Sequence, residues 1–380
     1  MMVERGMTLA QLAPRTKARK KRSRKKRGFF ASLFRLCLML GAAGIVAAGG
    51  LAAWLFYTPS GNEYRYLAAD TLITTQHRIW AKYLIGQEEL DKRVAAYQQS
   101  FDKMGQEADH HEIVRPAGSS TASDKPKELV SVEPISGKSY KGFVMTVSDP
   151  TKIRLGIPAA KGKGEKVTSM VKRYGAIAGV NAGGFADPNW KGNGFQPIGV
   201  VISRGKVLYQ DLDKSKSTQI VGLDKSGKMI AGHYTLKQLE DLGIQEGVTF
   251  QPRIIVNGKG LVKNHADGWG IAPRTAMGQK ADGSILFVVI DGRQPGYSIG
   301  ADLYDVQKIL LDRGAVIAAN LDGGSSTVLV NGGEIVNNPS SQHGERYLPT
   351  AFLVFDDPDA ASIPNVWQGL KPGDIDASKW

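Results

Sequence analysis

The sequence contains a single cysteine, Cys37, which lies inside a long apolar run. One cysteine cannot form a disulfide within the chain, so the rest of the protein must be stable through its core alone. The chain also has no Asn-x-Ser/Thr glycosylation acceptor, because Asn338 is followed by Pro339. Both absences are more typical of a bacterial surface protein than of a eukaryotic secreted one.

Acidic residues are almost missing from the N-terminus. Residues 1–35 contain twelve Lys and Arg and one Glu, so eleven of the thirteen net positive charges belong to this basic tail. The remaining chain is close to neutral, which argues against a broad basic surface for nucleic acid. We therefore predict that the protein has no nucleic-acid partner.

Charge is missing altogether from residues 36–57. At about 1.5 Å of rise per residue, this stretch spans roughly the 30 Å of a bilayer's hydrocarbon core. Trp54 and Tyr57 lie at its end, where aromatic rings favour the membrane interface. The pattern predicts one transmembrane helix in a bacterial plasma membrane, with the basic tail cytoplasmic and residues 58–380 outside. A cleaved signal peptide is the alternative, although its apolar region is usually only ~7–15 residues long.

Residues 58–129 form a segment of different composition. Helical spacing of apolar residues predicts one or two juxtamembrane helices, and the polar, Ser- and Pro-rich residues 106–129 predict a linker. His110, His111 and Glu112 could hold a metal ion, but adjacent histidines do not share a helix face, so we interpret them as part of a solvated linker.

Short β-type runs and polar turns begin near residue 130 and continue to residue 357. Helical patterns interrupt them at 165–174, 236–242 and 301–313. This order predicts an α+β domain with a mixed sheet and flanking helices. The last segment, 358–380, has no pattern beyond two tryptophans that could dock on the domain. The predicted strands are 143–147, 153–157, 177–180, 198–202, 219–223, 254–256, 285–290, 316–319, 327–330 and 351–355.

Polar and Gly-rich residues gather at the ends of several predicted strands. The stretches are NAGGF (181–185), PRTAMG (273–278), VVIDGRQPGYS (288–298), NLDGGSSTVLV (320–330) and NPSSQHGERYLPTAF (338–352). Loops at neighbouring strand ends lie close together, glycines let a ligand approach the backbone, and arginines bind phosphate with two donors. The five stretches together predict a cleft that accepts an anion. Its candidate residues are Asn181, Gly183, Gly184, Arg274, Asp291, Arg293, Asp322, Ser325, Ser326, His343, Glu345 and Arg346.

Taken in order, these stretches resemble the phosphodiester glycosidase family over residues 130–356. The family is named after an enzyme that removes N-acetylglucosamine from a phosphodiester, and its bacterial members are often labelled exopolysaccharide biosynthesis proteins. The resemblance implies a carbohydrate phosphodiester as substrate, with cleavage at a sugar C1. This chain departs from the family pattern at one place. The usual Asn-Gly-Gly-Phe is here Asn181-Ala182-Gly183-Gly184-Phe185, with one extra residue.

The implied chemistry can be assigned to the candidate residues. A phosphate monoester leaves readily, so one carboxylate suffices to activate water or attack C1, and cationic groups stabilise the leaving oxygen. Asp322 is the first choice for the carboxylate, because glycines follow it, and Asp291 and Glu345 are the next. Arg274, Arg293 or Arg346 would bind the phosphate, and Asn181, Ser325 and Ser326 would hold sugar hydroxyls or phosphate oxygens.

Three other interpretations remain open. A serine hydrolase is one, although residues 324–327 do not fit Gly-x-Ser-x-Gly. Metal-assisted hydrolysis is another: no cofactor is required by the sequence, but Asp291, Asp322 and Glu345 could bind Ca²⁺ or Mg²⁺ through oxygen. The third is a non-catalytic anchored module that binds anionic cell-wall polymer through the same arginines.

Overall fold

A computed structural model describes residues 25–75, 77–114, 128–213 and 215–379. The chain divides into two compact units, with the boundary between Asn62 and Glu63. The N-terminal unit is built on helix α1 (Lys25–Tyr57). Its part from Gly28 to Tyr57 is long and apolar enough to cross a membrane, and none of that stretch is buried. The predicted apolar helix is thus confirmed, and it begins earlier than expected.

The second unit contains the other helices and all the described strands. Its helices are α2 (Pro59–Ile73, which starts before the boundary), α3 (Lys82–Ile85), α4 (Gln87–Gln106), α5 (Val167–Tyr174), α6 (Leu236–Asp241) and α7 (Leu303–Asp312). Its strands are β1 (Val130–Ser136), β2 (Lys141–Val147), β3 (Ile153–Gly156), β4 (Ala178–Asn181), β5 (Val200–Ser203), β6 (Lys206–Gln210), β7 (Thr218–Asp224), β8 (Met229–Tyr234), β9 (Ile244–Thr249), β10 (Arg253–Val256), β11 (Lys259–Gly260), β12 (Arg274–Lys280), β13 (Ile285–Ile290), β14 (Ala315–Leu321), β15 (Leu329–Asn331), β16 (Glu334–Ile335) and β17 (Ala351–Val354).

The strands form three sheets. The large sheet has the order β1-β2-β13-β12-β14-β10-β11, the second sheet β16-β15-β4-β17-β3, and the third sheet β6-β5-β9-β7-β8. Every pairing between described strands is antiparallel. The predicted α+β class is confirmed, but the single mixed sheet is wrong: three antiparallel sheets take its place. Pairing direction depends on partners distant in sequence, which strand periodicity does not encode.

One apolar core lies between the three sheets, and each sheet covers its outer face with a helix. The common core takes residues such as Met145 and Met277 from the large sheet, Leu155 from the second and Val248 from the third. Outside it, α7 and the end of α4 pack on the large sheet, α5 on the second, and α6 on the third. Helices therefore occupy the periphery, and strand ends remain open for loops.

The segment after α4 differs from the predicted solvated linker. His111 is buried, with Nδ1 2.8 Å from the Asp109 carboxylate and Nε2 3.2 Å from Oε1 of Gln279. The backbone N–H of Val114 donates to the Ala281 carbonyl. The expectation is therefore wrong for residues 107–114, where polar residues make specific contacts with the domain. Residues 115–127 lie outside the described residues.

The C-terminal segment also packs on the domain. Trp367 is 2% exposed and donates its indole N–H to the Phe195 carbonyl at 2.8 Å. The backbone N–H of Asn193 donates to the Ala377 carbonyl. The docking of Trp367 follows the sequence-based expectation, whereas Trp380 lies outside the described residues.

A buried arginine fastens the end of α4 to the sheets. Arg253 is 1% exposed, and its guanidinium donates to the carbonyls of Met104 (3.0 Å), Ala231 (2.9 Å) and Glu107 (2.7 Å). These acceptors belong to the end of α4, to β8 and to the segment after α4. One charged side chain therefore satisfies three carbonyls, and those of Met104 and Ala231 are in buried positions where water cannot replace the donor.

We predict that Arg253→Leu lowers the free energy of unfolding by about 3 kcal/mol, because three carbonyls, two of them buried, lose a charged donor. Urea unfolding of the full chain in detergent micelles measures the effect, and protease cleavage between α4 and β1 should increase. The matched control is Arg313→Leu, which removes a partly exposed ion pair with Glu133 and should cost less than about 1 kcal/mol. Equal losses for the two variants would contradict the assigned role of Arg253.

Candidate active site

Asp322 lies directly after β14, at an end of the large sheet. Its backbone N–H donates to the Ala182 carbonyl after β4 at 3.0 Å, and the Gly324 N–H donates to the Pro273 carbonyl before β12 at 2.9 Å. The loop 322–327 includes a 3-10 turn, Gly324–Ser326. It is thereby held against the ends of two other strands, which belong to two different sheets.

The side chain of Asn181 completes this arrangement from the end of β4. It is fully buried, and its Nδ2 donates to the Asp322 carbonyl at 2.5 Å. Its Oδ1 accepts from the Thr275 hydroxyl at 2.8 Å and from the Val328 N–H at 3.0 Å. Both ends of the amide are occupied by protein, so this geometry gives Asn181 the task of positioning the Asp322 loop.

The Asp322 carboxyl lies in a desolvated position. Burial raises its pKa from 3.8 to about 6, and hydrogen bonding from Ser326 and the charge of Arg346 offset only part of that rise. Its Oδ2 is enclosed and has no hydrogen-bond partner among the described residues. Because most buried polar atoms are paired, this oxygen is an acceptor available to a ligand.

Arg293 presents its guanidinium to the same loop. The side chain packs against Gly324, where an added Cβ would lie 3.1 Å from Nη2. Burial lowers the pKa of Arg293 and the charge of Asp322 raises it. Among the residues that the structure describes, its guanidinium has no hydrogen bond or ion pair. A positive group with unused donors therefore lies beside the loop that carries the desolvated carboxyl.

Arg346 approaches from a different loop and is already engaged. Its Nη1 donates to Oδ2 of Asp187 at 2.8 Å and to the Ser325 hydroxyl at 3.3 Å, and its guanidinium lies 4.9 Å from the centre of the Phe185 ring. Asp187 is held in turn, because its Oδ1 accepts from the Gly192 N–H at 2.7 Å. This ion pair braces the loop after β4 against the Asp322 loop.

Arg274, the third arginine proposed for phosphate, has a different environment. It is 7% exposed, and it donates to the backbone carbonyls of Ala301 (3.2 Å), Trp269 (3.0 Å) and Gly270 (2.8 Å). Burial lowers its pKa to about 10. Three carbonyl partners fix the turn before β12, so the geometry gives this residue a structural task.

The two alternative carboxylates are also bound by protein donors. Asp291 accepts from Asn337 Nδ2, the Asn338 N–H and the Tyr297 hydroxyl. Burial raises the pKa of Asp291 above its usual value, and the hydrogen bonds from these three donors offset only part of that rise. Glu345 accepts from the backbone N–H of Thr168 at 2.9 Å and from its hydroxyl at 2.6 Å. Glu345 thus caps the N-terminus of α5, where a negative charge is favourable.

The remaining candidates divide between the loop and its surroundings. Ser325 and Ser326 lie in the Asp322 loop. The Gly183 N–H donates to the Thr350 hydroxyl at 3.0 Å, and the Gly184 N–H donates to the Thr249 carbonyl at 3.4 Å. His343 is exposed on a loop. The structure therefore groups Asp322, Ser325, Ser326, Arg293 and Arg346, and it surrounds them with residues that hold the strand ends.

Sequence reasoning missed several residues that shape this group. Asp187 pairs with Arg346, Thr275 and Thr350 hold the Asn181 and Gly183 segments, and Asn337 holds Asp291. Asp187 precedes Pro188 and has the sequence signal of an ordinary turn. The two threonines lie in or beside strands, where Thr is common. Only the proximity of Asp187 to the NAGGF stretch could have indicated it.

Two other polar sites in the described residues are separate from this group. A cavity of about 310 Å³ is lined by Arg154, Arg204 and Glu246 among others, and by none of the predicted site residues. Its Glu246 carboxylate is already satisfied, since it accepts from Leu155, Ser203 and Arg204. The guanidinium of Arg204 donates to backbone carbonyls of the C-terminal segment.

The other site is a possible cation-ligand group. Among the described residues, His265, Asp302 and Asp305 are the one set of three such side chains with ligand atoms within 4.8 Å of one another. Asp302 is already used there, since its Oδ1 caps α7 at the Asp305 N–H. Within the part of the chain that the structure describes, the ligand atoms of Asp291, Asp322 and Glu345 do not lie within this distance of one another, and the cation requirement stays a prediction.

We predict that Asp322→Asn stabilises the domain at pH 8 by about 1–3 kcal/mol, because a carboxyl whose pKa rises on folding from 3.8 to about 6 costs free energy when ionised. The gain should shrink as the pH falls through 6 and vanish below about pH 4, where both states are protonated. Urea unfolding of the full chain in micelles at several pH values measures it.

The contrasting variant is Asp291→Asn. Burial raises the pKa of Asp291 as well, but its carboxylate accepts three protein hydrogen bonds that an amide weakens, so this change should stabilise the domain at pH 8 less than Asp322→Asn does. A destabilised Asp322→Asn protein at pH 8, or a stability difference that does not depend on pH, would contradict the desolvation of Asp322.

Comparisons with known proteins match part of this chain to one family and one fold. Residues 174–355 match the family model described as phosphodiester glycosidase. An uncharacterised SPbeta prophage-derived protein, YomE of Bacillus subtilis strain 168, is 29% identical over 206 residues, which are 52% of this chain and 31% of that protein. The chain thus spans about a third of the length of this curated relative.

A solved structure shows the same fold. The catalytic domain of zebrafish N-acetylglucosamine-1-phosphodiester alpha-N-acetylglucosaminidase, auto-inhibited by its pro-peptide, superposes with a TM-score of 0.50 at 21% identity. The match covers 62% of this chain and 86% of that domain. The ordered motifs, the matched segment and the shared fold lead to one conclusion: residues 174–355 of this chain are similar to the phosphodiester glycosidase family.

Proposed function

We propose that residues 130–357 hydrolyse the bond between a sugar C1 and a phosphodiester oxygen in cell-surface or exopolysaccharide material. One observation carries the proposal: the enclosed, unpartnered oxygen of Asp322 lies in the loop that contacts the unpaired guanidinium of Arg293. A carboxylate next to a free cation suits a substrate with an electron-poor carbon and an anionic leaving group. Family membership supports the reaction class, and the zebrafish relative is named for a 1-phosphodiester.

Arg293 would bind the phosphate. Of the three candidate arginines, Arg274 is used by backbone carbonyls and Arg346 by Asp187 and Ser325. The guanidinium of Arg293 alone keeps its donors free within the described residues. Two parallel N–H groups match two phosphate oxygens, and their charge stabilises the oxygen that leaves as the bond breaks.

Asp322 would act at C1. In the reaction the C1–O bond breaks, its electron pair goes to the phosphate oxygen beside Arg293, and water supplies the hydroxyl that C1 gains. The carboxylate serves either by accepting the proton of the attacking water or by attacking C1 first. A single displacement inverts the anomeric configuration and a double displacement retains it, so the anomer of the released sugar separates the two routes.

The hydroxyls and the bracing ion pair have supporting tasks. Ser325 and Ser326 would hold sugar hydroxyls or phosphate oxygens from the same loop as Asp322. The Arg346–Asp187 pair would keep that loop in register with the segment after β4. Gly183 and Gly184 leave the strand end free of side chains, and His343, exposed on its loop, would contact the outer part of the substrate.

We also propose that the enzyme is anchored in a bacterial plasma membrane by residues 36–57, with the basic tail in the cytoplasm and the hydrolase outside. The apolar, unburied helix α1 supports the anchor, and the twelve basic residues within residues 1–35 support the orientation. Labelling of an engineered surface cysteine on intact cells tests the orientation. Release of a soluble domain without the apolar segment would favour a signal peptide instead.

We predict that Asp322→Asn abolishes release of free sugar from a sugar-1-phosphodiester, because the amide can neither accept a proton nor attack C1. In the wild type, kcat/KM should fall as the pH drops below about 6, where burial keeps the carboxyl protonated. The assay measures free sugar, with Asn338→Asp as a control of similar chemical change in an exposed loop residue. Full activity of the Asp322 variant would refute the assignment, as would a flat profile across pH 5–8.

We predict that Arg293→Gln lowers kcat/KM for the phosphodiester by roughly 100-fold, the usual cost of losing one charge-stabilising group. Loss of phosphate binding should raise KM, and loss of leaving-group stabilisation should lower kcat. Arg313→Gln serves as control, since Arg313 pairs at the surface with Glu133. An Arg293→Gln enzyme as active as the control would place the phosphate elsewhere.

Two further measurements define the chemistry. Hydrolysis in ¹⁸O-labelled water should place the label on the sugar if the C1–O bond breaks, and on the phosphate if the P–O bond breaks. A requirement for Ca²⁺ or Mg²⁺ stays a prediction, which dialysis against chelator followed by add-back of single cations measures. Sugar binding without release of free sugar would instead favour the non-catalytic wall-polymer module.

A further inference from the structure

The short helical segment before α4 exposes apolar residues on the side away from its core. A 3-10 turn, Arg78–Ala81, leads directly into α3. Ala81 is fully buried, and Leu84 and Ile85 pack with it in a small core. The opposite side has Ile79 at 58% exposure, Trp80 at 53% and Tyr83 at 73%.

These three residues share one face of the segment. Ile79 and Tyr83 are four positions apart and Trp80 and Tyr83 are three apart, which are the spacings of neighbours on a helix surface. A surface helix normally places polar residues opposite its buried side. Three adjacent large apolar side chains in that place indicate a surface that is covered by a partner.

We propose that this face lies in the headgroup region of the bilayer that α1 spans; the inference rests on the membrane anchor proposed above. Trp and Tyr rings favour the membrane interface, where one end of the ring meets hydrocarbon and the other meets water. Arg78 and Lys82 flank the face. The Lys82 ammonium lies 5.1 Å from the centre of the Tyr83 ring, and such stems can extend along apolar surface while the charge reaches headgroups.

The position of the face along the chain favours the bilayer over other partners. The apolar helix ends at Tyr57, and α2, with its 15 residues, accounts for most of the chain that follows before Arg78. A helix of that length rises only about 22 Å. A bilayer spanned by α1 is therefore always within reach, at a high effective concentration. Two further apolar residues on α2, Tyr64 and Leu67, are three positions apart and are exposed at 61% and 37%.

Contact with the bilayer would fix how the domain is held at the membrane. α4 follows the face directly, and Arg253 fastens the end of α4 to the sheets. The hydrolase would then be held close to the lipid surface, and its reach would be limited to polymer near the membrane.

Spin labels on the full chain in liposomes test the proposal. Cys37 is first replaced by Ser, and single cysteines are then introduced as Ile79→Cys, as Val46→Cys in α1 and as Lys237→Cys in α6. Ile79 and Val46 are exposed at 58% and 74%, and Lys237 at 81% of its side chain, so the labels should not disturb folding. The measured quantity is the accessibility ratio for apolar oxygen against a water-soluble nickel chelate.

We expect the ratio at position 79 to exceed that at 237 several-fold and to remain below that at 46. Lipid-like values at 46 with equal values at 79 and 237 would overturn the bilayer contact and leave the anchor intact. Water-like values at 46 would overturn both together. Spin–spin broadening at 79 that disappears on dilution with unlabelled chain, with no gain in oxygen access, would show a second copy on the face instead.

Discussion

The buried amide of Asn181 is the interaction on which the site depends. It joins the end of β4 in the second sheet to Thr275 in the large sheet and to the backbone at Asp322 and Val328. Two sheets that share a core need not end in register, and the remaining backbone contacts of the loop each reach a single strand end. Because one side chain contacts both sheets and both ends of the loop, the position of Asp322 follows from the packing of the sheets.

Because the loop is held in place, the Asp322 carboxyl can stay buried although its burial costs folding stability. Burial of Asp322 with an unpartnered oxygen costs stability, and no hydrogen bond of the loop removes that cost completely. Asp291 and Glu345 show the ordinary solution, in which protein donors satisfy the buried carboxylate. Asp291 and Glu345 therefore serve the fold, whereas Asp322 keeps an oxygen that a substrate could contact.

The sequence predicted types of residue better than their partners. Strong runs such as β13 and the turn-rich stretch after β14 were recognised, whereas β9 was not, because Glu246 and Gly247 interrupt its apolar pattern. The polar strand ends were identified from Gly, Asp and Arg. The structural roles of Glu345 and Arg274 could not be predicted. Glu345 binds Thr168, which is 177 positions away, and Arg274 binds backbone carbonyls of separate turns. A side chain's local sequence does not reveal which distant donor or acceptor the fold will bring to it.

The backbone at Arg293 has an uncommon conformation. Its φ of 59° and the φ of 61° at Gly324 both lie in the left-handed region. Glycine adopts that conformation at little cost, whereas for arginine it is unfavourable and persists only where the surroundings enforce it. At Arg293 this conformation accompanies a guanidinium that lies against Gly324 in the Asp322 loop, and the proposed phosphate contact would give the arginine a use for it.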